Sequence, residues 1–209
     1  MNSVLSWSRR HLRMVLIVVI VLALAPAYLR AYQLTPNGVS EVPTLLPRDI
    51  IIVNHAAYYL RFPYSSVMFF RASSPKRGEM VLIRLPDGRG VAPKRIMGLP
   101  GDMIELRENQ LLIDSRSVLG KPLNPSEFSW VPQEDKMGSA IEDENGHWIT
   151  YTPGKGEHRN YPTTNLASDR YFVLGDNRDE SADSRAWGPI SEGSILGKVV
   201  MKFPMGRRQ

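Results

Sequence analysis

Two segments carry side chains suited to covalent chemistry without a thiol. The first reads Gly38-Val39-Ser40-Glu41-Val42-Pro43-Thr44-Leu45, a serine set between a glycine and a proline. Pro43 stiffens the backbone on one side, and Gly38 leaves room on the other for a group to approach closely. A serine held this way is a candidate nucleophile, and the freed backbone at Gly38 suits a close-approach oxyanion site. The same residues also suit an ordinary turn. The second segment is Val91-Ala92-Pro93-Lys94-Arg95-Ile96-Met97-Gly98-Leu99-Pro100-Gly101-Asp102, where Lys94 lies in an apolar stretch that ends in a tight turn. A lysine acts as a general base only if desolvation brings its pKa from ~10.4 toward 7–8, a shift of about 3 units or about 4 kcal/mol. Burial among Ile96, Met97 and strand neighbours would supply that shift. In solvent, Lys94 is a plain surface cation.

A third segment, Gly175 to Gly188 (GDNRDESADSRAWG), is dense in charge of both signs and directly follows the apolar run Tyr171-Phe172-Val173-Leu174. Partly buried unpaired charges cost several kcal/mol, so such a segment needs internal ion pairs and hydrogen bonds. It reads as a framework that holds something in place. Other routes to catalysis fail. There is no cysteine, which excludes a thiol nucleophile, a disulfide framework and cysteine-ligated metal. His11, His55, His147 and His158 are scattered with no recognisable partner spacing, and GxSxG, HExxH and Walker motifs are absent. No cofactor and no metal are expected.

The elements that position these segments read as mostly β. Asp49–Val53, Met80–Ile83, Leu111–Ile113, Tyr171–Leu174 and Ile195–Lys202 are short runs of strand length and composition, set between frequent Gly and Pro. Nothing after residue 30 sustains a helical period. Residues 121–168 are rich in turn formers with brief apolar runs, apart from Trp148–Tyr151, and read as an inserted loop- or hairpin-rich subdomain. Tyr58 to Phe70 (YYLRFPYSSVMFF) reads either as core or as an exposed apolar surface resting on a bilayer.

The net charge of +5 is local. Residues 1–40 hold Arg9, Arg10, Arg13 and Arg30 and no acid, which leaves 22 basic and 21 acidic side chains in the body. The basic balance therefore argues for membrane orientation and against a nucleic-acid partner. Met14 to Leu29 is an uncharged apolar stretch preceded by three arginines, so it predicts one transmembrane anchor with a cytoplasmic amino terminus and an exported body. A cleaved secretory signal is the alternative, with Ala25-Pro26-Ala27 offering small residues.

Taken in order behind that anchor, the Ser40 segment, the Lys94 segment and Gly175–Gly188 resemble type I signal peptidase, the membrane-bound Ser–Lys protease family that removes signal peptides from exported proteins. Pro75-Lys76-Arg77-Gly78-Glu79-Met80-Val81 resembles a further segment of that family. The resemblance covers roughly residues 40–115 and 168–203. It implies a signal-peptidase-like β-fold catalytic domain with an inserted β- and loop-rich subdomain, preceded by one transmembrane helix. The expected division is 1–30 flank and anchor, 31–120 first part of the core, 121–168 insertion, and 169–209 second part of the core. It further implies Ser40 as nucleophile, Lys94 as general base, Ser181 as the hydroxyl that hydrogen-bonds and orients the lysine, and stiffening ion pairs Asp183–Arg185 and Arg95–Asp176. The Ser40 N–H would serve the oxyanion. Gly38 stands where some members have a further hydroxyl donor. The implied partners are exported preproteins and the lipid bilayer, at the plasma membrane with the catalytic domain on the extracytoplasmic side.

Two positions depart from the family pattern. Glu180 stands where the family often has Asn. Glu41 stands where it usually has Met: a carboxylate near Lys94 would favour the ammonium and oppose a lysine base, whereas a carboxylate turned away would reshape the substrate pocket. The expectation is retained activity with altered specificity. The alternatives are an inactive relative acting as a membrane-tethered binding protein, or a peptidase dedicated to one exported substrate.

Overall fold

Short apolar runs between turn formers build the strands, sixteen of them among the described residues. The computed structural model describes residues 11–20, 28–62, 67–88, 90–122, 139–143, 146–151 and 156–205. The principal sheet has seven strands in the order β1 (Leu29–Gln33), β2 (Ile50–Asn54), β16 (Ile195–Phe203), β5 (Met80–Arg84), β6 (Val91–Gly98), β14 (Arg170–Leu174) and β15 (Ile190–Ser191). All of its pairings are antiparallel. A four-stranded sheet has the order β13 (Tyr161–Asn165), β7 (Met103–Arg107), β8 (Gln110–Ile113), β9 (Arg116–Ser117). A three-stranded sheet joins β10 (Leu119–Pro122), β11 (Ser139–Asp143) and β12 (Trp148–Tyr151), and β3 (Tyr59–Arg61) pairs with β4 (Met68–Arg71). The expected mostly-β class holds, and β2, β5, β8, β14 and β16 fall on the runs read as strands, while β12 falls on the apolar run Trp148–Tyr151 within the region read as an insertion.

The two faces of the principal sheet serve different cores. Val81, Ile83, Ile96 and Val173 pack with Tyr58, Tyr171, Ile190 and Ile195. Met80 and Leu82, the alternate residues of β5, pack instead with Leu45, Ile51 and Val53. Met97, Phe172 and Leu174 face a third cluster with Ile104, Leu106, Leu111 and Ile113 from the four-stranded sheet. Between β6 and β7, Leu99-Pro100-Gly101-Asp102 forms the expected turn, with Gly101 at φ +91° and the Asp102 N–H donating to Leu99 O at 3.0 Å. Pro at the second position and a glycine with positive φ at the third are what this turn requires.

β6 escaped recognition as a strand because Pro93 and the Lys-Arg pair interrupt its apolar pattern. Its register explains the tolerance. β14 pairs with β6 only from Gly98 to Arg95, so Pro93 lies beyond the end of β14. Within the region read as an insertion, β11 and β12 pair antiparallel, and β13 pairs with β7 of the four-stranded sheet.

Residues 11–20 form a helix with exposed apolar side chains from Leu12 to Ile20. Among the described residues no helix is long and apolar enough to cross a membrane. Residues 1–10 and 21–27, which belong to the expected anchor and its flank, lie outside the described residues. The aromatic segment divides between its two readings. Tyr58 is buried, whereas Phe62, Val67 and Phe70 are exposed, and residues 63–66 lie outside the described residues.

Candidate active site

The end of β14 places the charged segment beside the lysine. Leu174 pairs with Arg95, so Gly175 begins at the level of Lys94. Lys94 and Arg95 are adjacent on β6 and therefore point to opposite faces of the sheet. The turn carrying Ser40 is fastened to the same loop: the Asn177 N–H donates to Ser40 O at 3.0 Å, and Thr150 Oγ1 donates to Val42 O at 3.2 Å. Thr150 itself is tied to the loop through its N–H to Asp176 O and its carbonyl to the Arg178 N–H.

This convergence brings three reactive groups together across more than fifty residues of sequence. Lys94 Nζ donates to Ser40 Oγ at 2.9 Å and to Glu41 Oε1 at 2.6 Å, and Ser40 Oγ donates to the same Glu41 Oε1 at 3.1 Å. Lys94 and Glu41 are each only 2% exposed. Glu41 Oε2 is buried and has no hydrogen-bond partner among the described residues. Burial raises the Glu41 carboxyl and the negative charge of Asp176 adds to it. Against them act the charge and hydrogen bond of Lys94 and the hydrogen bond from Ser40. The balance leaves it at about 7.

Both expected ion pairs form. Arg95 Nε and Nη2 grip the two Asp176 oxygens at 2.8 and 2.6 Å, and Arg95 Nη1 donates to Gly78 O at 2.8 Å. Thr44 Oγ1 donates to Asp176 Oδ2 and accepts from Arg95 Nη2 at 3.1 Å, which ties the Ser40 turn to this pair. Arg185 Nε and Nη2 meet the two Asp183 oxygens at 2.8 Å each, and Arg185 Nη1 donates to Asn109 Oδ1 at 3.1 Å. Asp183 also caps the short helix α1 (Ser184–Trp187) and accepts from the Gly175 N–H. Burial alone would raise its carboxyl. The hydrogen bonds and charge of Arg185, with the Gly175 N–H, outweigh burial and hold it below the usual carboxylate range.

Ser40 lies where two concavities meet. A cleft of about 410 Å³ is lined by Ser40, Lys94, Ala92, Leu85, Ala182 and Trp187. A narrower one of about 160 Å³ also borders Ser40, lined in part by Gly38, Glu41, Leu34, Ile51 and Ala92.

A family model described as signal peptidase, peptidase S26, matches residues 8–204. The chain belongs to the signal peptidase family, peptidase S26. Among its relatives are signal peptidase I of Pseudomonas fluorescens, 30% identical over 90% of this chain and 70% of that one. Signal peptidase I of Pseudomonas aeruginosa is 31% identical over 91% of this chain and 67% of that one. The chain thus spans about two thirds of the length of these relatives. A crystal structure of a signal peptidase I from Enterococcus faecalis matches at 26% identity, covering 61% of this chain and 98% of that one, with a TM-score of 0.39. That overlap is too low to bear on the fold.

Within this signal peptidase family member, the site differs from expectation at Ser181 and decides between the two orientations left open for Glu41. The lysine's hydrogen bonds go to Ser40 and Glu41, while the hydroxyl of Ser181, expected to orient it, donates to Ala182 O at 3.5 Å. Glu41 does not turn away from the lysine; it pairs with it. Gly38 lines the narrower concavity, and a Cβ there would fall 2.8 Å from Thr35 Oγ1 of the same turn. Sequence reasoning passed over Asn109, 2% exposed and donating to Asp179 Oδ1 at 3.0 Å, and also Thr150 and Asn177. Nothing local marks these residues, because their partners lie far away in the chain.

Gly175 was also overlooked as a structural requirement. A Cβ there would lie 2.5 Å from Ser40 O and collide with the Ser181 side chain. Gly175→Ala is expected to displace the Ser40 turn and lower kcat/KM by roughly 10- to 100-fold, since a shift of about 1 Å at reacting atoms has effects of that size. Steady-state cleavage assays alongside thermal unfolding would check this; unchanged kcat/KM would show that the loop yields without moving Ser40.

Proposed function

We propose that this chain is a membrane-bound serine endopeptidase that removes amino-terminal signal peptides from exported preproteins, cleaving after small residues. Ser40 attacks the scissile carbonyl, the Ser40 N–H serves the developing oxyanion, and Lys94 takes part in the proton transfer. The observation that carries this reading is the 2.9 Å contact between Ser40 Oγ and buried Lys94 Nζ at the junction of two apolar concavities, in a member of the signal peptidase family. Asp176 with Arg95 and Asp183 with Arg185 hold the two loops on which that contact depends. Ser181 supports the same loop at Gly175.

The bilayer is the second partner. Three arginines precede the apolar residues 14–29, and this supports a single-pass anchor with the amino terminus in the cytoplasm and the catalytic body on the extracytoplasmic side. The exposed Phe62, Val67 and Phe70 suit contact with lipid. The test is direct: the full chain in detergent is incubated with a preprotein, and the new amino terminus is sequenced. Release of the mature protein after a small residue is expected, and replacement of that residue by Trp should stop it. No cleavage of any preprotein by the folded chain would sink the reading.

A further inference from the structure

Glu41 borders the space open to a substrate as well as the lysine. It lines the concavity of about 160 Å³ beside Ser40, together with Gly38, Leu34, Ile51, Leu82 and Ala92. Its Oε1 is taken, with Lys94 Nζ at 2.6 Å and Ser40 Oγ at 3.1 Å. Its Oε2 is buried and has no hydrogen-bond partner among the described residues. An acceptor left unsatisfied in this way is costly, so a ligand that supplies the missing partner is favoured over one that does not. The two oxygens share one carbon, which keeps Oε2 within a few ångströms of the hydroxyl that attacks the scissile carbonyl. The terminal torsion of a glutamate is broad, and turning it brings either oxygen toward a group that enters the concavity.

We propose that Glu41 makes this peptidase select a small hydroxyl side chain, serine or threonine, at the substrate position that enters the concavity. The assignment rests on Ser40 being the nucleophile of a preprotein peptidase, as proposed above, and adds what the site selects. Volume limits the guest first. Sites that hold whole small-molecule ligands run to roughly 300–1,000 Å³, whereas about 160 Å³ takes one short side chain. Leu34, Ile51, Leu82 and Ala92 would accept any short aliphatic group, so the walls alone do not discriminate. Glu41 does. A hydroxyl both donates and accepts, so it pairs with the Glu41 carboxyl whether that group is ionised or protonated. Alanine fits the space but leaves Oε2 without a partner, and a site that hydrogen-bonds a hydroxyl discriminates against the analogue that lacks it.

The same geometry limits which substrate residue is read. Ser40 Oγ, the atom that bonds the scissile carbon, is 3.1 Å from Glu41 Oε1. A side chain that meets Glu41 therefore belongs to one of the two residues on either side of the cut.

Two substrate pairs isolate the hydroxyl: serine against alanine, and threonine against valine, which has nearly the same shape. The full chain in detergent is given preproteins that carry Ser, Ala, Thr, Val or Lys at each of the two residues on either side of the cut. At one of these positions kcat/KM for Ser should exceed that for Ala, and Thr should exceed Val, by about 10-fold or more, the size of effect that an unpaired buried acceptor produces. Glu41→Met should bring both ratios to one or below. Glu41→Gln, whose amide still donates and accepts, should keep part of the preference. The ratios are read and not the absolute rates, because Glu41 also contacts Lys94 and Ser40, and a purely structural role would lower all substrates alike. Ratios near one at every position in the native chain, a preference for Lys, or the same ratios in native and Glu41→Met chains overturn the proposal. Should neither variant fold or cleave, the native chain decides. The ¹³C signal of its Glu41 carboxyl should shift on binding a cleavage-site peptide with Ser at the selected position and not on binding the Ala counterpart, and identical responses overturn the assignment. No cleavage of any preprotein would sink the peptidase reading itself, whereas cleavage without a hydroxyl preference sinks only this selection.

Discussion

Ser40→Ala should reduce preprotein cleavage by about 10⁴-fold or more while leaving the fold intact. Loss of the nucleophile from a serine peptidase leaves only what binding and oxyanion stabilisation contribute, and single removals of this kind are among the largest known in enzyme kinetics. Ser40 is half-buried in a turn held by the Asn177 N–H and by Thr150, and those contacts are made by the Ser40 and Val42 carbonyls, not by the serine hydroxyl. The variant therefore loses the hydroxyl's contacts to Lys94 and Glu41 but keeps the 2.6 Å pair between those two. A thermal transition near that of the native chain, together with background cleavage, is the expected outcome. Substantial cleavage by Ser40→Ala would remove the nucleophile and with it the mechanism.

Arg95→Ala should destabilise the chain by about 3–5 kcal/mol, the usual consequence of removing one partner from a buried ion pair. Arg95 is 4% exposed and Asp176 is 0% exposed, so the truncation strands a carboxylate inside the protein. It also removes the donors to Gly78 O and Thr44 Oγ1. For a chain of this length the midpoint of thermal unfolding should fall by roughly 10 °C. The double replacement Arg95→Met with Asp176→Leu removes both charges and should be less destabilised than Arg95→Ala, because no charge is left unpaired. A double variant as unstable as the single one would place the energy in the hydrogen bonds to Gly78 and Thr44 instead.

Both forecasts draw on features of unequal legibility. The strands β2, β5, β8, β14 and β16 were readable because apolar, β-branched runs between turn formers have few other folds. β6, the strand that carries the lysine, was obscured by Pro93 and by two adjacent charges, and only the short reach of β14 makes those residues acceptable there. β13 was hidden because its sequence, Tyr-Pro-Thr-Thr-Asn, is mostly polar. Asp183 with Arg185, like Arg95 with Asp176, was legible only through the family resemblance of their segments, whereas the tie from Arg185 to Asn109 spans 76 residues and has no local signature.

The residue types and their order along the chain were enough to point to Ser40, Lys94 and the charged loop after β14, because nucleophile, lysine and ion-pair framework each need specific side chains. Sequence also exposed Glu41 as the departure of greatest consequence, but left it two orientations. Only the tertiary structure chose between them. Side-chain direction in the Ser40 turn depends on how Thr44, Asn177 and Thr150 fasten that turn to distant strands, and those fastenings aim Glu41 at Lys94 and leave the Ser181 hydroxyl to Ala182. Burial then acts on the carboxylate through desolvation, a property of the packed surroundings that no single residue in the sequence carries.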